Sequence, residues 1–438
     1  MTSSVRGIAE AAKRASRILR TTTAEQRNCA IRAAADLVEQ NQRNLIETNS
    51  QDLAAADKML ASGEITDATY ERLRLTGKKI AELTTSMLAV AELIDPIGRV
   101  LQRTELDQGL VLEKITCPLG VLAVIFEARP DAVTQISALG LKSANAIILK
   151  AGREVERTAL ALVTIIRQAL VNSGLPEDAV TMVTGRESVR ELLGMTDLVD
   201  LVIPRGSKQL VEFVQGNTRI PVLGHAEGIC NIYVDEAADM NMAVAIIDDA
   251  KTDYPAACNA AETVLIHEKV AAEFLPKLAE QLCSKHVVLR GCERTCAILT
   301  NQPVVPVAGE DWHHEYSDLV LAVRVVASID DAIEHIHTYG SSHTETIVTN
   351  DPVAAERFLS EIDSAGVFHN ASTRFADGYR YGFGAEVGIS TSKLHARGPV
   401  GLEGLTTYKY VLRGSGQVAR DYQGTKAKAF THKRLPTD

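Results

Sequence analysis

A basic excess, a long apolar run, a block of like charges and a low-complexity tract are all missing from this 438-residue chain. Lys plus Arg number 46 against 56 Asp plus Glu, a formal net charge of -10. That balance argues against electrostatic binding of nucleic acid or of an anionic membrane, both of which need basic surface. Any anionic substrate must therefore be caught by a local basic pocket. The longest apolar stretch, residues 120–126, is far short of the roughly 18 residues that cross a bilayer. The first 20 residues place Arg6, Glu10, Lys13 and Arg14 among alanines and lack the apolar core of a secretory signal. With 29 Gly and 13 Pro the chain is ordinary in composition, which excludes disordered, collagen-like and coiled-coil readings. Seven scattered cysteines, an odd number, make no disulfide scaffold. A soluble, reducing, cytoplasmic setting is the expectation.

Length alone suggests roughly three domains. Residues 24–58 carry Ala30, Ala34, Leu37, Val38 and Leu45 at helical spacing, so the first 95 residues read as mostly helical. At Asp95-Pro96-Ile97-Gly98 the pattern breaks. Residues 100–106 and 110–116, joined by Asp107-Gln108-Gly109, read as a protruding hairpin. Beyond Gly120, short β runs alternate with amphipathic helices: strands at 121–126, 146–150, 180–184 and 198–203, then at 232–234, 263–267, 319–326, 346–349 and 366–368. Such alternation implies parallel pairing through crossovers, hence two α/β layers in series. One more strand is expected at 407–413.

Gly414-Ser415-Gly416-Gln417-Val418-Ala419 formally matches a dinucleotide fingerprint, but too little chain follows for a βαβ unit, so it reads as a turn. Pro204-Arg205-Gly206-Ser207-Lys208, between a strand and a helix, is a better phosphate site, because N–H groups at a helix start favour an anion. The competing reading is that Ser207 simply caps the helix. Cys258 stands apart in Asp253-Tyr-Pro-Ala-Ala-Cys258-Asn-Ala-Ala261, with small neighbours that leave room for a substrate and a position expected near a helix start, where the dipole favours a thiolate. A buried core cysteine is the alternative. His225, Glu227, His267 and His313-His314 show no metal-ligand spacing, and Cys292 with Cys296 lacks the second pair of a zinc site, so no metal is expected. Arg129, Arg205 and Arg397 adjoin Pro or Gly on short loops, where guanidinium groups suit carboxylate or phosphate.

The ordered segments 120–131, 203–207, 223–235, 253–263 and 393–403 together resemble the aldehyde dehydrogenase superfamily over essentially the whole chain, and within it the branch that acts on an acyl phosphate. The resemblance implies NADPH-dependent reduction of L-glutamyl 5-phosphate to glutamate 5-semialdehyde and phosphate, the second step of proline synthesis from glutamate. It also implies an aldehyde-dehydrogenase-like α/β fold: a Rossmann-type NADP-binding domain (1–98 and 117–225), an α/β catalytic domain (226–406) and a small β oligomerisation element (99–116 and 407–438). Cys258 falls at the nucleophile of the family. By the same carry-over Gly206 and Ser207 form the pyrophosphate turn with Arg205 beside it, Lys150 reaches the adenosine ribose and Glu315 holds the nicotinamide ribose. Arg129, Arg397 and Asn259 are the substrate-binding candidates. Ala128 stands near the family's oxyanion asparagine and Gly224 at its deacylating glutamate, departures that suit a reductase with no hydrolytic step. Homodimer or homotetramer formation, and association with glutamate 5-kinase, belong to the same expectation. An acyl-CoA-dependent relative and a catalytically silent nucleotide-binding protein are the rival readings.

Overall fold

The computed structural model describes residues 4–225, 227–393 and 395–437, and in them the alternation of strands and helices builds two separate parallel sheets. Five helices precede the first strand: Val5–Leu19, Ala24–Gln40, Gln42–Ala61, Asp67–Leu73 and Gly77–Glu92. The second opens on a capping box between Thr23 and Gln26 and buries Ala30, Ala34 and Val38, the stripe its spacing predicts. Two strands, β1 (Val100–Asp107) and β2 (Leu110–Pro118), then form the expected antiparallel hairpin.

The chain divides into two compact units. The first runs to Leu223 and adds Phe383–Gly388 and the segment from Val400 onward; the second takes Gly224–Gly382 and Ile389–Pro399. In the first unit, β3 (Val121–Phe126), β4 (Ala146–Ala151), β5 (Val180–Met182) and β6 (Leu201–Arg205) pair in parallel in the order β5-β4-β3-β6. Every residue of β3 and β4 is buried, as a sheet covered on both faces requires.

The second unit is built on β7 (Cys230–Val234), β8 (Ala261–His267), β9 (Val288–Gly291), β10 (Val304–Pro306), β11 (Val320–Val326), β12 (Thr344–Val348) and β13 (Gly366–His369). They form one parallel sheet in the order β10-β9-β11-β8-β7-β12-β13. Strands β9 and β10 escape the sequence reading because three or four residues show no period. A short antiparallel pair, β14 (Ile389–Ser390) and β15 (Gly398–Pro399), completes this unit. In the first unit, β16 (Thr406–Arg413) and β17 (Lys433–Leu435) then join the hairpin in an antiparallel sheet, β16-β2-β1-β17. Residues 414–418 carry no regular structure and lead only to a single 3-10 turn, Ala419–Tyr422, so the glycine pattern there serves as a turn.

Glu345 on β12 is fully buried, and its carboxylate accepts from Asn231 N (2.7 Å), Asn231 Nδ2 (2.9 Å) and Ser364 Oγ (3.3 Å). Burial pushes this carboxyl from 4.5 up to about 8, against the opposing pull of those donors. An acid whose pKa rises on folding stabilises the fold fully below its unfolded value and loses that contribution as pH climbs through the folded one. The melting temperature should therefore fall between pH 5 and pH 8, and Glu345→Gln should flatten that fall and be the more stable protein at pH 8. Melting curves of both proteins across that range check it; an unchanged slope in the variant would assign the pH dependence elsewhere.

Candidate functional site

Cys258 sits in the connection between the helix Met240–Thr252 and β8. It does not begin a helix. Two consecutive turns set the local path, with Ala257 N donating to Tyr254 O (3.0 Å) and Ala260 N to Ala257 O (2.9 Å). A helix dipole therefore plays no part at this thiol. Cys258 is half-buried, and its own backbone N–H has no acceptor among the described residues.

Segments distant in sequence close around it. A Cβ on Gly228 would lie 2.0 Å from Cys258 O and 2.7 Å from its Cα, so only glycine lets the 227–229 backbone pass this close. Gly228 N donates to Glu315 Oε2 at 3.0 Å, which places the predicted ribose ligand at the Cys258 loop. Burial holds the Cys230 thiol well above its ordinary pKa, so it stays protonated and donates to Cys258 O at 3.4 Å. His225 and His343 approach from two further segments, and one ligating atom from each of His225, Cys258 and His343 lies within 4.8 Å of the other two. No spacing in the sequence signals this trio, because its members are brought together only by folding.

Asn259, a substrate-binding candidate, is 4% exposed and its side chain is fully engaged in structure. Its amide donates to Ala376 O (2.9 Å), and its carbonyl oxygen accepts from Arg374. Arg374 and Arg380 both pair with Asp253 (3.2 and 2.9 Å), tying the start of the Cys258 loop to residues 372–380. The sequence reading missed both arginines, whose surroundings resemble no phosphate loop. Arg397 is likewise engaged, with Nη1 on Asp363 Oδ1 and Nη2 on Asp363 O, each at 2.7 Å. Together with Lys393 it holds the Asp363 carboxyl down at about 2.

In the first unit the predicted nucleotide residues gather at the carboxyl ends of β3, β4 and β6. Ser207 caps the helix Lys208–Gly216, its Oγ accepting from Leu210 N at 3.4 Å, so the capping alternative is realised. The turn nonetheless behaves as an anion site: Ser207 N–H donates to Glu127 Oε2 at 2.8 Å, and a Cβ on Gly206 would meet that oxygen at 2.3 Å. A carboxylate oxygen is thus held against the Ser207 N–H and the bare face of Gly206, an arrangement whose donor chemistry also suits a phosphate oxygen. Arg205 is half-buried at the end of β6. Lys150 is buried, with Nζ on Ala151 O at 2.5 Å. Arg129 is half-buried; its carbonyl accepts from Ala132 N at 3.2 Å, while its guanidinium has no hydrogen-bond or ion-pair partner among the described residues.

These features put a half-buried cysteine in the second unit and a turn with an inward N–H donor in the first. The aldehyde dehydrogenase family pattern matches residues 2–297, and the chain belongs to that family. Within it the chain groups with the gamma-glutamyl phosphate reductases. The protein of that name from Cyanothece sp. is 53% identical over 428 residues, covering 98% of this chain and 97% of its own. The crystal structure of gamma-glutamyl phosphate reductase from Thermotoga maritima superposes with a TM-score of 0.91 at 40% identity, covering 95% of this chain and 100% of that one. An engineered glycolyl-CoA reductase with bound NADP+ shares the fold alone, with a TM-score of 0.65 at 15% identity over 93% of this chain and 96% of its own. The chain is thus an oxidoreductase of the glutamyl phosphate reduction step in proline biosynthesis, a family that uses a nicotinamide cofactor and a small-molecule substrate. No helix among the described residues is long and apolar enough to cross a membrane.

Proposed function

We propose that the enzyme reduces L-glutamyl 5-phosphate with NADPH through a thioester on Cys258. The observation that carries this reading is the Cys258 turn, where a half-buried thiol lies beside its own uncommitted N–H. The Cys258 thiolate attacks the acyl carbon, the bond from that carbon to the phosphate oxygen breaks, and inorganic phosphate leaves. The Cys258 N–H donates to the oxyanion that develops on the former carbonyl. NADPH, when bound, supplies the hydride that reduces the thioester. Collapse of the resulting thiohemiacetal expels the Cys258 thiolate and releases glutamate 5-semialdehyde.

Gly206 and Ser207 hold the pyrophosphate in this reading, in exchange for the Glu127 carboxylate, and Lys150 with Arg205 serves the adenosine ribose and its 2'-phosphate. Glu315 orients the nicotinamide ribose. Arg129 takes a substrate carboxylate or phosphate, and Arg397 does so only by leaving Asp363. Residues 1–98 and 117–225 are the NADP-binding domain, and 226–406 carry the catalysis. The reverse assay tests the reaction: oxidation of glutamate 5-semialdehyde with NADP should require inorganic phosphate. Coenzyme A supporting the faster rate instead would replace this reading by the acyl-CoA one.

Homo-oligomerisation through the β1-β2-β16-β17 sheet belongs to the same proposal. Strand β16 is an edge, and Tyr408, Tyr410 and Leu412, on one face of it, are 48%, 61% and 55% exposed. Exposed edges with apolar faces favour pairing between chains. Light scattering should give a dimer or tetramer mass that falls toward monomer in Tyr410→Lys; a clean monomer before mutation would refute it.

A further inference from the structure

His225, Cys258 and His343 form a donor set whose chemistry extends beyond hydride transfer. One thiol and two imidazoles are the ligands zinc prefers, and three protein ligands with an open fourth position are a common tetrahedral arrangement. A tetrahedron with Zn–N of about 2.1 Å and Zn–S of about 2.3 Å has ligand–ligand edges of about 3.6 Å. The three ligating atoms already lie within 4.8 Å of one another, so closing onto an ion needs movements of about 1 Å.

The surroundings point the same way. His225 Nδ1 lies 3.0 Å from Ile389 O, a pure acceptor, which keeps hydrogen on Nδ1 and makes Nε2 the basic nitrogen. Metal-bound histidines are commonly oriented by such a carbonyl. His343 is 1% exposed; its Nδ1 contacts Thr344 Oγ1 at 2.9 Å, while its buried Nε2 has no partner among the described residues. Protein interiors seldom leave a ring nitrogen unsatisfied, and a cation is a partner that an unprotonated ring nitrogen of this buried histidine can take. The two rings stand edge to face with centroids 5.1 Å apart, beside the same thiol.

We infer that His225, Cys258 and His343 capture a thiophilic divalent cation, with Zn2+ as the matching ion, and that its occupancy reversibly switches the enzyme off. Binding exchanges the thiol proton for the metal: the S–H bond gives way to S–Zn and one proton passes to solvent, so affinity rises with pH. Inhibition rests on the assignment of Cys258 as nucleophile; binding itself does not.

Cobalt(II) is the spectroscopic probe. Added to the reduced, tag-free protein, it should give at a single equivalent the intense visible bands of a tetrahedral ion and a near-ultraviolet sulfur-to-cobalt charge-transfer band, both displaced by Zn2+. Cys258→Ser should abolish the charge-transfer band. His225→Gln, at a half-buried position, should weaken Zn2+ binding more than about tenfold, since even an outer partner of a ligand is worth that much. Reductase activity should fall in step with Zn2+ occupancy and return with EDTA. A weak octahedral spectrum, a charge-transfer band that survives Cys258→Ser, or zinc inhibition undiminished by His225→Gln would each overturn the site. An active enzyme without the cobalt signature refutes only the cation site; the signature in a protein without reductase activity refutes only the assigned reaction.

Discussion

Cys258→Ser is expected to lower kcat by at least about three orders of magnitude in both directions while leaving NADPH binding and the melting temperature nearly unchanged. A thiolate is accessible near neutral pH, whereas a serine hydroxyl needs a neighbouring base to reach comparable reactivity. The side chain changes by one atom, from sulfur to oxygen, at a half-buried position in a loop whose two turn hydrogen bonds join backbone groups and do not use the Cys258 side chain, so folding has little reason to respond. The loss should therefore appear in kcat and kcat/KM alike, the mark of an interaction made in the chemical step. Rapid-quench detection of a labelled acyl-enzyme in the parent and not in the variant completes the test. A variant retaining activity within about tenfold of the parent would remove Cys258 from the mechanism.

Lys251→Met should cost about 3–5 kcal/mol of stability and lower the melting transition of the second unit by on the order of 10 °C. Lys251 Nζ lies 2.8 Å from Glu262 Oε2, and the two side chains are 0% and 1% exposed. Burial disfavours both charges, lowering the Lys251 pKa and pushing the Glu262 carboxyl up to about 7 even with the ammonium beside it. Glu262 is also raised by Glu315, and it accepts from Ser317 N at 3.4 Å. Removing the ammonium leaves a buried carboxyl with that weak donor as its remaining described partner, so its pKa climbs further. A raised carboxyl loses its contribution to stability as pH rises, so the penalty should be larger at pH 8 than at pH 5. Adding Glu262→Leu should recover most of the loss, because a buried ion pair replaced by apolar groups is often neutral in stability. Calorimetry of the two variants at both pH values decides the matter; a penalty below about 1 kcal/mol would mean that water or another group takes the lysine's place.

The same pair ties stability to the reaction. Lys251 lies in the last turn of the helix before the Cys258 loop and Glu262 lies in the strand after it, so the bond clamps both ends of the segment that carries Cys258. Lys251→Met should therefore also reduce kcat in the fraction that stays folded.

Much of this architecture was legible before folding. The helical first segment, the hairpin about Asp107-Gln108-Gly109 and the successive β runs follow from local periodicity, which neighbouring residues alone determine. So does the helix start at Ser207, a cap within one turn of chain. Cys258 shows where that logic stops. Its neighbours mark it out, yet Asp253 at the start of its loop is pinned by Arg374 and Arg380 from more than a hundred residues away, partners that no local pattern announces.

What the sequence by itself determined is the order of elements, the anionic balance that confines cation chemistry to a few placed side chains, and the cysteine marked out by its neighbours. These are properties of composition and near neighbours. Only the tertiary structure decided that His225 and His343 meet that cysteine, that Glu127 occupies the Ser207 N–H, that Arg397 answers to Asp363, and that Lys251 and Glu262 share a dry contact. Each of those depends on distances across parallel sheets, where crossovers bring together residues that no local pattern relates.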